Sequence, residues 1–291
     1  MIEIDLDNVI ASNIGSIEIE DEDYFKLPAV SASILKRLIN DEAYEVANQI
    51  ETKVTPAMTF GSLVHCMILE PTKLDKRYAA MPKCDLRTKE GKAQKASFEI
   101  MNDKKTIVSE DYFETAKRIY ESVCENGINK LFTGGVAEQA YISQFGDIEV
   151  KGKLDYYIEK KGLILDVKTT VNAGDDFVDE CGKRLYSLQA SFYIDLLNSL
   201  GKKAHDFIFV GIQSVFPHKI TLVRMNDIEL EFGREAYKVA LDIWKDIQEN
   251  PSKYKSKLCI NPRTDSNIWE YQTPTYMHYK IDRLKKINAM Y

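Results

Sequence analysis

The sequence predicts an α/β fold in which helices pack on a mixed central sheet. Three observations lead there. Long segments carry apolar residues at helical spacing, while "GVAEQAYISQF", "IEVKGKLDYYIE" and "GLILDVKTT" alternate or run apolar over strand lengths, and the two kinds of segment follow one another along the chain. The 291 residues, 44% hydrophobic and 29% charged, can bury a sizeable core as one large domain or two small ones. No apolar run approaches the roughly 20 residues that cross a bilayer, so no membrane association is expected. The opening "MIEIDLDNVI" is acidic where a secretory leader would be basic, which makes a cytoplasmic chain the default expectation.

Taken in order, Ile2, Ile4 and Leu6 alternate with polar residues, as in a short edge strand or an arm. Ser31 and Ser33 are N-cap candidates for a helix through "ASILKRLIN". A second helix, "AMTFGSLVHCMILE", is apolar on nearly all sides, should be buried, and stops at Pro71. Residues 72–95 read as loop with short helical pieces. Ser109 and Asp111 offer capping chemistry to a helix through "SEDYFETAKRIYESVCEN". Three strands follow, the quoted segments above. Helix returns in "KRLYSLQASFYIDLLNSLG", with Gly201 as C-cap. The strands "HDFIFVGIQSV" and "KITLVRM" then precede the amphipathic helix "DIELEFGREAYKVALDIWKDIQEN", and the tail beyond Pro251 has no clear period.

Charge and cysteines narrow the function classes. A net charge of −6 argues against indiscriminate nucleic-acid binding. Yet residues 1–23 hold eight acids and no base, whereas residues 72–95 hold eight bases against three acids. Such a run is either a solvated face or a place for a polyanion to dock. Cys66, Cys84, Cys124, Cys181 and Cys259 are odd in number and widely spread without a CxxC pair, as expected of free thiols rather than a zinc or iron–sulfur site.

The chemistry concentrates in "KGKLDYYIEKKGLILDVKTT". Alternation puts Lys153, Asp155 and Tyr157 on one face of the first strand, and Ile164, Asp166 and Lys168 on one face of the second. Paired as a hairpin around "EKKG", the strands bring both aspartates and Lys168 to one side. Unpartnered burial of three charges costs on the order of several kcal/mol each, and a divalent cation would offset it. Carboxylate oxygens suit Mg²⁺ or Mn²⁺, and a lysine beside them suits phosphoryl chemistry. A surface hairpin with solvated charges would carry the same D-x-K triplet. Three features weigh against it. Glu138 is a lone carboxylate in an apolar strand, Gln189 and Tyr193 share a helix face, and His65 lies in the buried helix, where it is either a ligand or a satisfied core residue.

The ordered set "GSLVHCMILEP", "AEQAYI", "KGKLDYYI…LILDVKTT" and "QASFY" resembles the RecE-like (exonuclease VIII) branch of the PD-(D/E)xK nucleases and shares the wider RecB-type pattern. It covers roughly residues 24–260, and "CDLRTKEGK" is a loop typical of that branch. The resemblance implies a restriction-endonuclease-like core over 24–260, preceded by an acidic arm or edge strand (1–23) and followed by an extension (261–291) on or near it. It also implies roles for single residues. Asp155 and Asp166 would hold metal, with the Val167 carbonyl, Glu138 and His65 completing the shell. Lys168 would be the catalytic lysine, and Gln189 and Tyr193 would line the site. DNA phosphates would meet Lys83, Arg87, Lys89, Lys92 and Thr169, with Lys95 nearby. Asp166 stands where Glu is commoner, and Leu154 replaces the proline of the family name.

The implied activity is Mg²⁺-dependent digestion of one strand of linear duplex DNA, 5′→3′, in the cytoplasm of a bacterium or phage-infected cell. Mn²⁺ would substitute and no iron–sulfur cluster is expected. The implied partners are duplex ends, a RecT-like single-strand annealing protein and further copies of the chain in a ring. A RecB-like single-strand nuclease, an endonuclease and a non-catalytic DNA-binding module stand as alternatives.

Overall fold

The computed structural model describes residues 14–50, 53–255 and 285. Two compact units divide the chain, Met1–Tyr254 and Lys255–Tyr291. The Ile2/Ile4/Leu6 alternation, Cys259 and, Lys285 apart, the expected extension 261–291 lie outside the described residues.

The first unit is built on a seven-stranded mixed sheet. Its strands are β1 (Gly15–Ile17), β2 (Val30–Ser31), β5 (Val136–Phe145), β6 (Ile148–Ile158), β7 (Leu163–Thr170), β8 (Asp206–Gln213) and β9 (Ile220–Arg224), ordered β1-β5-β6-β7-β8-β9 with β2 on β6. All neighbours are antiparallel except β7/β8 and β2/β6. The β6–β7 turn needs Gly162, whose φ is +59°; a Cβ there would come 2.2 Å from His205.

Strand β7 leaves β6 early. Their ladder covers only Tyr156–Leu165, Tyr157–Ile164 and Ile158–Leu163, and β2 takes over the vacated edge at Val150 and Lys151. The next facing pair would be Asp155 and Asp166, so both aspartates line the fork where the strands part. The alternation read from sequence holds in the packing: Ile164 joins one core cluster and Val167 another across the sheet.

Helices cover both faces. On one lie α4 (Pro56–Leu69) and α7 (Glu110–Glu125), packed with Val167, Val210 and Ile212. Thr55 caps α4 and Ser109 caps α7, accepting from Met58 and Tyr112 amides. On the other lie α2 (Ala32–Ile39), α9 (Tyr186–Ser199) and α10 (Asp227–Glu249). Helix α9 is buried nearly all round and sits so close to β6 that a Cβ on Gly152 would be 2.9 Å from the Tyr193 ring.

Several elements depart from expectation. Ser31 holds the N-cap position of α2 without a side-chain capping bond. Within 72–95, expected as loop with short helical pieces, α5 (Leu74–Arg77) is followed by β3 (Tyr78–Met81), which pairs with β4 (Thr106–Ser109) in a separate two-stranded parallel sheet. The thirteen-residue α6 (Lys89–Met101) begins there too, capped by Thr88. Only Gly91 of α6 is buried, so the helix shows no apolar stripe to read. Helices α1 (Asp21–Lys26), α3 (Ala43–Ala47) and α8 (Asp175–Lys183) were likewise not expected. Cys66, Cys84, Cys124 and Cys181 are free thiols. Among the described residues, no helix is long and apolar enough to cross a membrane.

Candidate metal centre

Three elements bring one side chain each to the fork. Asp155, near the end of β6, accepts the Val167 amide on Oδ2 at 2.8 Å and so takes up a donor that the parted ladder leaves unpaired. Glu138 faces it from β5, between the ladder pairs Ala137–Tyr156 and Gln139–Leu154. Its φ of 52° is left-handed, a conformation that costs a non-glycine residue about 1–3 kcal/mol. His65, on α4, lies with Nδ1 3.4 Å from Asp155 Oδ2 and 3.9 Å from Glu138 Oε1. One ligand atom from each of the three falls within 4.8 Å of the others. Their side chains are 15–23% exposed, so the group opens to solvent.

The electrostatics mark strain of another kind. Burial, with Asp155 beside it, pushes Glu138 up to about 7; burial, with Asp166 beside it, pushes Asp155 up to about 8. Burial lowers the imidazole of His65 against the pull of Glu138, and a backbone hydrogen bond with Val167 also touches that ring. A neutral imidazole keeps a lone pair for a ligand.

Asp166 is only 2% exposed. Gln189 Nε2 donates to its Oδ2 at 2.5 Å, and the Lys168 ammonium lies 2.5 Å from Oδ1. Oδ1 is buried, and among the described residues this ammonium is the one partner that it has. Burial opposes the charge on Lys168, but Asp166 and Asp155 outweigh it and hold the ammonium above its ordinary range. Lys168 also rests 5.4 Å from the Tyr186 ring centroid.

This donor set fits a hard divalent cation. It offers carboxylates that resist ionising without one, a neutral imidazole and, next door, a buried carboxylate oxygen paired only with an ammonium. His65, Glu138 and Asp155 form the closest trio, while Asp166, expected beside Asp155 as a ligand, is held by Lys168 and Gln189.

The remaining expected residues divide. Tyr193 is buried among aromatic rings, 6.1 Å from Phe192 and 6.5 Å from Phe207. Thr169 lies where α4 crosses β7; a Cβ on Gly61 would come 3.1 Å from its Oγ1. Arg87, Lys89 and Lys92 are exposed around the start of α6, Lys83 pairs with Asp111 at 2.9 Å, and Lys95 pairs with Glu99.

Two residues at the site escaped the sequence reading of roles. Lys153 pairs with Glu138 at 3.3 Å and with Asp21 of α1. Alternation had already put it on the Asp155 face. Lys36 of α2 donates to Gln189 Oε1 at 2.7 Å, a contact spanning 153 positions that no local pattern signals.

A family model for a PDDEXK-like domain of unknown function (DUF3799) matches residues 31–259. A structure named "Putative exonuclease" from Eubacterium rectale superposes with a TM-score of 0.58 at 16% identity, covering 90% of this chain and 98% of that one. A phage related exonuclease from Haemophilus somnus 129PT shares 14% identity over 70% of this chain and 98% of its own, with a TM-score of 0.31. No curated protein matches. The first of these likenesses supports the fold, a restriction-endonuclease-like α/β core.

Proposed function

With residues 31–259 matched, the chain belongs to the PDDEXK-like domain family (DUF3799), and on that footing we propose that it is a metal-dependent deoxyribonuclease digesting one strand of linear duplex DNA, 5′→3′. The observation that carries this reading is the meeting of His65, Glu138 and Asp155 within 4.8 Å, next to the Lys168–Asp166 pair. The structural neighbour named a putative exonuclease adds support for action from an end.

The site would hold Mg²⁺, with Mn²⁺ as substitute, through His65, Glu138 and Asp155, aided by Asp166 and the Val167 carbonyl. Such an ion supplies Lewis acidity to a phosphoryl oxygen and acidifies an attacking water. Lys168 remains protonated beside two carboxylates, so it supplies positive charge to the developing phosphorane rather than taking a proton from water. Gln189 fixes Asp166, and through it the direction of Lys168. Attack by water breaks the bond from phosphorus to the 3′-oxygen, leaving a 3′-hydroxyl and a 5′-phosphate. Arg87, Lys89 and Lys92, with Lys83, would hold backbone phosphates without reading sequence. A ring of copies would multiply those contacts, and the 3′ tail left behind would suit a RecT-like annealing protein.

Linear duplex labelled at either the 5′ or the 3′ end, incubated with Mg²⁺ or chelator, tests reaction, metal and direction together. Early release of 5′ label with Mg²⁺ alone is expected. Equal cutting of closed circles would overturn the exonuclease reading, and digestion in chelator would overturn the metal assignment.

A further inference from the structure

We infer that Lys36 is a positioning residue of the site, acting through Gln189 to set Asp166 and with it Lys168. Four side chains form a continuous series. Lys36 Nζ donates to Gln189 Oε1 at 2.7 Å, Gln189 Nε2 donates to Asp166 Oδ2 at 2.5 Å, and Asp166 Oδ1 meets Lys168 Nζ at 2.5 Å. The two ammonium groups flank one ring: Lys36 lies 5.3 Å and Lys168 5.4 Å from the centroid of Tyr186.

The amide in the middle has a single satisfactory orientation. Burial, with Lys168 nearby, brings Lys36 down to about 7; below that it is an ammonium, which only donates, while an ionised carboxylate only accepts. The oxygen therefore faces Lys36, as in the 2.7 Å bond, and the NH₂ faces Asp166. Turned over, the amide would set its hydrogens against the ammonium and its oxygen against the carboxylate. Without Lys36, the carboxamide loses the contact that selects between these orientations, and Asp166 loses a fixed donor on Oδ2. Its other oxygen, Oδ1, is the one paired with Lys168. Gln189 is itself buried, so solvent replaces the lost partner poorly. Lys36 touches neither the His65–Glu138–Asp155 trio nor Asp166, which makes its effect indirect. Its ligand-side meaning rests on the nuclease reading; the amide geometry does not.

The test is a cycle of Lys36→Met, Gln189→Leu and the double variant, with Lys36→Arg as the conservative replacement. On linear duplex with Mg²⁺, Lys36→Met should lower kcat about tenfold with KM within about twofold, the scale seen when partners behind a ligand are removed. In the Gln189→Leu background the same change should cost less than about twofold, and Lys36→Arg should recover most of the rate. Multiplying losses would overturn the proposal. A second readout needs no activity. In metal-free ¹⁵N-labelled protein, the Gln189 side-chain amide, identified by its absence in Gln189→Leu, should exchange with solvent about tenfold faster in Lys36→Met. Unchanged exchange would overturn the proposal. Lys36→Ala serves in both arms should the methionine variant fail to fold. If the wild type digests no DNA while the exchange difference stands, the nuclease reading falls and the positioning of Gln189 stands.

Discussion

Two acidic centres, one buried and one half-buried, lie along the same strand, and the protein treats them in opposite ways. At the end of β7, Glu180 of α8 accepts Thr170 Oγ1 at 2.6 Å and Asn172 Nδ2 at 2.7 Å, while Arg184 pairs with its other oxygen. Burial would raise its pKa, but these partners outweigh burial and hold the carboxyl below its ordinary range. Four residues earlier on β7 the fork opens, and there Asp155 and Glu138 have been pushed up to about 8 and about 7. The fold is therefore able to satisfy a buried carboxylate where only structure is at stake. At the fork it instead gathers like charges and holds Glu138 in left-handed backbone. An arrangement that costs stability and is only partly relieved by Lys153 and the Val167 amide points to a ligand that relieves the rest.

The largest effects should come from breaking the strained centre. Asp155→Asn should reduce digestion on the order of a thousandfold or more, measured by acid-soluble release from linear duplex. The same variant should raise metal-free stability near pH 8. The sign follows from linkage: an aspartate that titrates near 4 unfolded and about 8 folded keeps its proton in the native state over that window. The native state then binds more protons than the unfolded one, so stability falls as pH rises from about 4 to about 8. Denaturation midpoints across that range should slope downward in the wild type and flatten in Asp155→Asn. Glu138→Gln should flatten the lower part of the curve, up to about 7.

A divalent cation should reverse that slope. At about a hundred times its Kd, Mn²⁺ should stabilise the wild type by about 2.7 kcal/mol, read as a raised melting temperature. His65→Ala and Asp155→Asn should lose that response, and Glu180→Ala should keep it. An equal Mn²⁺ shift in all of them would place the cation elsewhere.

Smaller in scale, Glu180→Ala should cost about 1–3 kcal/mol, because it leaves Thr170, Asn172 and Arg184 without their acceptor. Digestion per folded molecule should stay within about threefold of wild type, since Glu180 makes no contact with the metal trio. Here pH acts the other way. Stability from Glu180 is present above about 4 and is lost as pH falls through its depressed folded value. The two centres should thus separate cleanly, activity without stability at one and stability without activity at the other.

The sequence carried much of this contrast, but unevenly. The hairpin, its faces and the convergence of Asp155, Asp166 and Lys168 followed from period-two alternation, because the strands obey it up to the fork. The parting of β7 from β6 was not legible, because it depends on β2 arriving from about 120 residues away to occupy the edge. For that reason the sequence could not tell Asp155, which faces His65 and Glu138, from Asp166, which faces Lys168 and Gln189. The left-handed turn at Glu138 left no glycine or asparagine as a signal. Lys36 escaped because tertiary contact alone gives it meaning. Helix α6 escaped because a helix exposed on nearly all sides has no stripe.

The smallest effect extends the comparison to the cations. Lys83 already has a carboxylate at 2.9 Å, Asp111, whereas Arg87 and Lys92 stand exposed at the start of α6, where amide groups of the first turn also point outward. A phosphate reaching Lys83 must compete with Asp111, so its net gain is smaller. Affinity for duplex DNA measured from about 50 to 200 mM salt should show this. Arg87→Ala and Lys92→Ala should each reduce the slope of log K against log salt by about 1, and Lys83→Ala should change it by less. Asp111→Asn should then steepen the slope by releasing Lys83. If Lys83→Ala proves the most damaging of the three, the paired cation is the one DNA uses. The rule drawn from the two carboxylate centres, that satisfied groups are structural and unsatisfied groups await a ligand, would then fail on this surface.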